Sequence, residues 1–298
     1  MSKITSSDPT HILCRIATEI FLKGKNQRQF ISKLQGNIQR QTKQEGISPK
    51  RGRITIPYFK EHHLLQRVFG LQSYSPAVFI QAVEDHEQML SKVKETLQQL
   101  TKRMQGTFRV QTKRSDKRFP LTSVQVNHEI GKHLEASNLK VTFQLKNPEH
   151  VFGVEITEKG TYVYSEYVSC PGGLPAGIEG KAVIEIQGAA EVLAAYLVMK
   201  RGVEITFIKN DQFTKYQALL QSVYPTPLQT TSSIKSYQER LEKTPCVIIL
   251  GDTIENFTEN KDLQKTSNNL MYLAPLVAWS KDQIKKEITK IKKRANII

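Results

Sequence analysis

The sequence predicts a mixed chain, two α+β units in succession followed by a parallel α/β domain. Three observations carry this. The first 80 residues read β-α-β-α-β, a second group of helices and strands runs to residue 169, and a Gly/Pro-rich connector, 170–177, then changes the pattern to strand-helix-strand.

His11–Ile20 is apolar and rich in β-branched residues, and so reads as a strand. In 26–43, Phe30, Leu34, Asn37, Ile38 and Thr42 recur at helical spacing with basic residues between them. Arg53–Tyr58 reads as a strand, Glu61–Phe69 as a helix stopped by Gly70, and Tyr74–Val83 as a strand. That order is of ferredoxin-like type. In 85–104, Met89, Val93, Leu97 and Leu100 form one helical stripe. A strand at 108–112, a helix at 123–134 and strands at 140–145, 151–156 and 161–165 complete the second unit. Beyond the connector, 182–186, 203–208 and 247–250 are buried-looking strands and 189–200 is an Ala/Leu-rich helix, as a parallel sheet requires. Residues 226–236 are polar and read as a loop, and a Lys-rich helix follows at 282–294.

The 298 residues carry 43 Lys+Arg against 28 Asp+Glu, a net charge of +15. Residues 1–170 hold 26 of the bases and 15 of the acids. Such an excess repels itself unless an anion neutralises it, and a phosphate backbone does so by releasing counterions. A membrane surface fits less well, because the bases are not gathered on one amphipathic helix, and no apolar run is long enough to span a bilayer. Three widely spaced cysteines exclude a disulfide scaffold and a cysteine-rich zinc site. The expected compartment is the cytoplasm.

The strongest motif is Lys113-Arg114-Ser115-Asp116-Lys117-Arg118, between a strand and a helix for which Ser123 is the expected N-cap. Loop cations beside a helix N-terminus suit phosphate contact. The turn Lys23-Gly24-Lys25 with Arg28, and the basic turn Arg51-Gly52-Arg53, are further candidates. Tyr58, Phe59 and His62 are candidate base-stacking groups, although such aromatics more often pack. Between the first α/β strand and its helix lies Ile186-Gln187-Gly188-Ala189-Ala190-Glu191. It has one glycine and no Ser, Thr or Lys, and Glu191 would repel a phosphate unless a metal bridged them. Cys246 reads as a packing residue, and Cys170 lies in the connector, open to solvent.

At these residues the sequence resembles the tRNA sulfurtransferases that make 4-thiouridine. EIFLKGKNQRQF (19–30) resembles the opening of that family's ferredoxin-like domain. TKRSDKRFPLTS (112–123) and LKNPEHVFGVEI (145–156) resemble its RNA-binding THUMP domain. GGLPAGIEGK (172–181) resembles the inter-domain signature, and AAYLVMKRGVE (194–204), GDTIENFT (251–258) and APLVAWSKDQI (274–284) resemble its Rossmann-like PP-loop ATP pyrophosphatase domain. The resemblance implies domains at 1–80, 81–169 and 170–298, with tRNA bound by the first two and thiolation carried by the third. Where the family has Ser-Gly-Gly-x-Asp-Ser, this chain has the loop around Gln187, Gly188 and Glu191, and no cysteine matches the persulfide carrier.

The expectation is therefore a cytoplasmic tRNA-binding protein with a degenerate nucleotide loop, no cofactor and no metal. It would present tRNA to a modifying enzyme, its phosphate contacts being Lys23, Lys25, Arg28, Arg51, Arg53, Lys113, Arg114, Lys117 and Arg118. The alternatives are an active divergent tRNA sulfurtransferase using ATP and magnesium, or a sulfur-transfer accessory in thiamine biosynthesis.

Overall fold

The structure, a computed structural model, describes residues 8–50, 52–102, 104–137, 139–241, 245–259 and 270–297. The chain begins with β1 (His11–Ile16), the short helix α1 (Thr18–Phe21) and the long helix α2 (Gln27–Thr42). Then come β2 (Ser48–Lys50), β3 (Arg53–Pro57), a 3-10 turn (His62–Arg67) and β4 (Leu71–Gln81). α3 (His86–Thr101), β5 (Gly106–Arg114) and α4 (Ser123–Ala136) lead to β6 (Val141–Phe143), β7 (His150–Thr157), β8 (Gly160–Tyr164) and β9 (Val168–Ser169). The last part holds β10 (Lys181–Glu185), α5 (Ala189–Lys200), β11 (Glu204–Ile208), α6 (Asp211–Val223), β12 (Gln229–Thr231) and α7 (Ile234–Leu241). It ends with β13 (Cys246–Ile249), α8 (Ile254–Glu259), β14 (Leu270–Leu273) and α9 (Lys281–Ala295).

The described residues pack as two compact units. The first takes those up to Cys14 with Gly46–His62 and Tyr74–Val168, and the second takes Arg15–Glu45, His63–Ser73 and Ser169 onward. This packing cuts the chain at different places from a division at 80 and 169. α2 joins the second unit because its buried stripe, Phe30, Leu34, Asn37, Ile38 and Thr42, includes an amide that donates to the Ala176 carbonyl at 3.1 Å.

In the first unit a mixed sheet runs β2-β3-β1-β4-β8-β7-β5-β6, with β9 paired to β4. α3 and α4 cover one face. Met89, Val93 and Leu97 of α3 and Val126, Ile130 and Leu134 of α4 share a core with Phe108, Val110, Phe152 and Val154. α4 is capped by Thr122 rather than by the expected Ser123. The Thr122 hydroxyl accepts from Gln125 N, while the Gln125 side chain accepts from Thr122 N at 2.8 Å. This reciprocal cap needs Gln three residues after the capping residue, a spacing that only Thr122 meets.

In the second unit the described strands form a parallel sheet ordered β12-β11-β10-β13-β14. The chain starts at β10, moves outward through β11 and β12, and then crosses to β13 and β14. The C-terminal edge of β10 is thus the topological switch point. α5 is buried at almost every position from Val192 to Met199, so it shows no polar face.

Several elements differ from the sequence expectation. The strand from His11 ends at Ile16, and Thr18 turns helical. Glu61–Phe69 holds a 3-10 helix over His62–Arg67 instead of an α-helix. The loop expected at 226–236 contains edge strand β12 and the start of α7. Polar Gln-Thr-Thr forms β12 because its backbone pairs with β11 from Thr206↔Gln229 to Ile208↔Thr231.

Candidate nucleic-acid interface

Along β5 the residues alternate. Phe108, Val110 and Thr112 are buried, while Gln111 and Lys113 are exposed. Lys113 stands opposite Glu155 in the β5–β7 ladder, so the two side chains share a face. The loop beyond is held by its own polar groups. The Arg114 guanidinium Nη1 donates to the carbonyls of Phe119 at 2.5 Å and Leu121 at 2.6 Å. Ser115 N donates to Ile156 O at 2.9 Å, and Phe119 is buried with its ring edge-on to His86 at 5.1 Å. Asp116 accepts from Arg118 Nε at 3.0 Å and Nη2 at 3.1 Å. Those bonds hold the Asp116 carboxyl below its usual range and raise the Arg118 guanidinium.

The four loop cations thus divide. Arg114 is spent shaping the loop, and Arg118 is neutralised by Asp116 with Glu158 4.0 Å away. Lys113 and Lys117 are exposed, and no ion pair to either is found among the described residues. Two ammonium groups thus remain exposed on the segment that leads from β5 into the capped 14-residue helix α4, whose N-terminus favours negative charge.

The other expected contacts fare differently. Arg53 is drawn to Glu155, with Nε to Oε2 at 3.0 Å and Nη2 to Oε1 at 3.4 Å, rather than left open. Lys23 pairs with Glu179 at 2.6 Å and lies 4.9 Å from the Phe30 ring centroid. Lys25 and Arg28 are exposed. Arg51 lies outside the described residues. Lys23, Lys25 and Arg28 belong to the second unit, whereas Arg53 and the basic loop belong to the first. Of the expected stacking aromatics, Phe59 is buried, the His62 ring bonds Tyr74 Oη at 3.1 Å, and Tyr58 stays 41% exposed.

The first unit also holds a cavity of about 560 Å³ lined in part by His11, Lys50, Lys159, Phe79 and Tyr162, which the sequence reading missed. Lys50 Nζ lies 3.4 Å from Tyr162 Oη. Burial, and then the charge of Lys50, lower the His11 pKa. The signal for it was the two-residue alternation of β1 and β4, which puts His11 and Phe79 on one face.

Family models match a ThiI ferredoxin-like domain at residues 11–75 and a THUMP domain at 83–166. The chain pairs a ThiI ferredoxin-like domain with a THUMP domain. It is similar to the tRNA sulfurtransferases. The probable tRNA sulfurtransferase of Moorella thermoacetica is 37% identical over 215 residues, which are 68% of this chain and 53% of that protein. The chain spans about half the length of such curated relatives. The crystal structure of PH1313 from Pyrococcus horikoshii matches with a TM-score of 0.76 at 25% identity, over 96% of this chain and 99% of that one. A 4-thiouridine synthetase, crystallised with RNA and bound ATP, shares the fold with a TM-score of 0.74 at 22% identity, over 97% of this chain and 86% of its own. The basic loop and its two exposed lysines lie inside the THUMP domain.

At the switch point of the parallel sheet, Gly188 caps α5 with extended backbone and no side-chain hydrogen bond, and Glu191 occupies the first turn. A Cβ placed on Gly251 would collide with the Glu191 carboxylate, so that carboxylate packs directly against the Gly251 backbone. The cavity beside it, about 200 Å³, is lined by Glu185, Gln187, Glu191 and Asp252 among others, and among the described residues by no lysine or arginine.

Cys170 is corrected by the structure. The connector buries it to 7% exposure, and burial pushes its thiol up to about 12. A thiol this far from ionising is a poor nucleophile. In native protein at about pH 8, iodoacetamide should leave Cys170 unmodified, with labelling appearing only in denaturant. Labelling of the native protein, read by peptide mass spectrometry, would contradict this burial.

Among the described residues no helix is long and apolar enough to cross a membrane.

Proposed function

We propose that this chain is a tRNA-binding protein of the cytoplasm whose THUMP domain grips the phosphate backbone and presents the RNA for modification. The domain division at 80 and 169 belongs to this reading. The observation that carries it is the basic loop Lys113–Arg118, with Lys113 and Lys117 exposed while Arg114 and Asp116 fix its shape. Lys25 and Arg28 supply further exposed charge. The curated relatives named probable tRNA sulfurtransferases, and the synthetase crystallised with RNA, favour RNA over other polyanions.

The test is an anisotropy titration with tRNA across salt concentrations. The pair Lys113→Ala and Lys117→Ala should weaken binding about tenfold or more and lower the salt slope by about 2, one per lost phosphate contact. An unchanged slope would remove the loop from the interface.

We further infer that the third part does not use ATP. The residues at the switch point do not fit a triphosphate. Loop 186–191 offers one glycine and no hydroxyl or ammonium, and Glu191 turns a carboxylate toward the place where phosphates would sit. The rival reading, an active divergent sulfurtransferase, requires calorimetric binding of ATP with magnesium and transfer of adenylate label to tRNA. Either result would displace the inference.

A further inference from the structure

The second unit contains a cavity of about 360 Å³ that the RNA reading does not use. It lies between the C-terminal turn of α2, the 3-10 turn and the segment after α6. We propose that this cavity, lined by Arg40, Gln41, Lys43, Arg67, Ser222 and Thr226, is a binding site for a phosphate group.

Three features point the same way. The first is charge. Arg40, Lys43 and Arg67 line the cavity, and among the described residues none that line it is acidic. Part of this has a simpler cause, since cations in the last turn of α2 complement its dipole. That cause does not reach Arg67, which stands on a different element. The second feature is Arg67 itself. It is half-buried, its Nε donates to the Arg294 carbonyl at 3.2 Å, and no carboxylate partner to it is found among the described residues. Burial lowers its pKa, as expected of a guanidinium held partly away from water without a counter-charge. The third feature is Gln41. Its Nε2 is buried with no hydrogen-bond partner. A buried amide donor without an acceptor is uncommon and costs free energy, and a turn of the Gln41 side chain toward the cavity would let a ligand oxygen satisfy it.

The cavity is thus lined by residues that carry guanidinium, ammonium, amide and hydroxyl groups, and because the Ser222 hydroxyl already donates to the Leu219 carbonyl at 2.7 Å, the cationic donors carry the fit. This donor set matches the oxygens of a phosphate. The phosphate can come from an RNA backbone or from a small phosphate compound, and the donors are the same for both.

The experiment uses the full chain and two probes, inorganic pyrophosphate by calorimetry and tRNA by anisotropy across salt. The variant is Arg40→Gln with Lys43→Gln, which leaves the Arg67 bond to Arg294 intact. Arg67→Gln is a second variant, checked for folding by circular dichroism. If the source is a small phosphate, wild type binds pyrophosphate, and the double variant weakens that binding about tenfold or more, the loss of charge-assisted bonds. The variant pair at Lys113 and Lys117 leaves it unchanged. If the source is RNA, pyrophosphate does not bind, and the double variant lowers the salt slope for tRNA by about 1 to 2. Equal behaviour of wild type and double variant toward both probes overturns the proposal, as does binding of neither probe by wild type. The proposal does not rest on the THUMP loop, so failure here leaves the RNA reading standing, and the reverse holds.

Discussion

Replacing Gly173 with alanine is expected to remove about 2–5 kcal/mol of folding stability, enough to unfold much of a marginally stable chain. Two costs combine. Gly173 has φ +78°, in the left-handed region where a side chain is strained, and a Cβ there would run into the Lys200 carbonyl oxygen. That oxygen cannot easily retreat. It belongs to the last residue of α5 and accepts the Leu174 N–H at 2.9 Å, a bond that holds the connector to the helix end. Alanine must either twist the connector or break this bond and strand a buried polar group. Gly180 provides the control. Its φ is not positive, and a Cβ there meets nothing within 4 Å, so Gly180→Ala should change stability by less than about 1 kcal/mol. Urea denaturation of both variants tests the pair. Equal midpoints would show that the Gly173 turn yields without cost.

The same segment shows how much of the fold was legible. Two glycines followed by Leu-Pro-Ala-Gly announce a turn-rich connector to any reader of the sequence, because few other residues tolerate positive φ. The helical stripe of α2 was legible to the residue, since all five expected positions are buried. α5 was legible at both ends, because strand, helix and strand alternate at the spacing of a parallel sheet. α6 left a signal that was passed over. Asn210 accepts from Phe213 N at 2.7 Å, an ordinary cap, and Phe213, Leu219, Leu220 and Val223 are its buried positions. β12 and β14 left little signal, because an edge strand of a parallel sheet can be polar or half-exposed and is fixed by backbone pairing alone.

The interface was legible as charge and not as chemistry. Four cations in six residues are visible in the sequence, but their division into one shaping arginine, one neutralised arginine and two open lysines depends on where carbonyls and carboxylates fall in space. Arg114 finds its acceptors five and seven residues away, within a loop whose course no periodicity predicts. The phosphate-type cavity was less visible still, since Arg40, Arg67 and Thr226 come from three distant stretches that only the packing of the second unit brings together.

Arg53 is the sharpest case. In the sequence it is one member of a basic turn, and its acidic partner lies 102 residues further along. In the structure Glu155 is 7% exposed and accepts from Arg53 Nε and Nη2, and from Tyr164 Oη at 3.2 Å. Arg53→Ala would take the paired guanidinium away from that buried carboxylate, at an expected loss of about 3 kcal/mol or more. If Arg53 held phosphate instead, its removal would lower the salt slope for tRNA and hardly touch stability. The two roles therefore separate by measurement. Urea denaturation of Arg53→Ala, Glu155→Leu and the double variant should show strong coupling, with the double variant losing less than the sum of the single losses. The tRNA salt slope of Arg53→Ala, read where it remains folded, should equal that of wild type. Additive stability losses together with a reduced slope would return Arg53 to the surface that meets RNA. Coupling with an unchanged slope keeps it as the strut beneath Lys113, which stands across the ladder from the same Glu155.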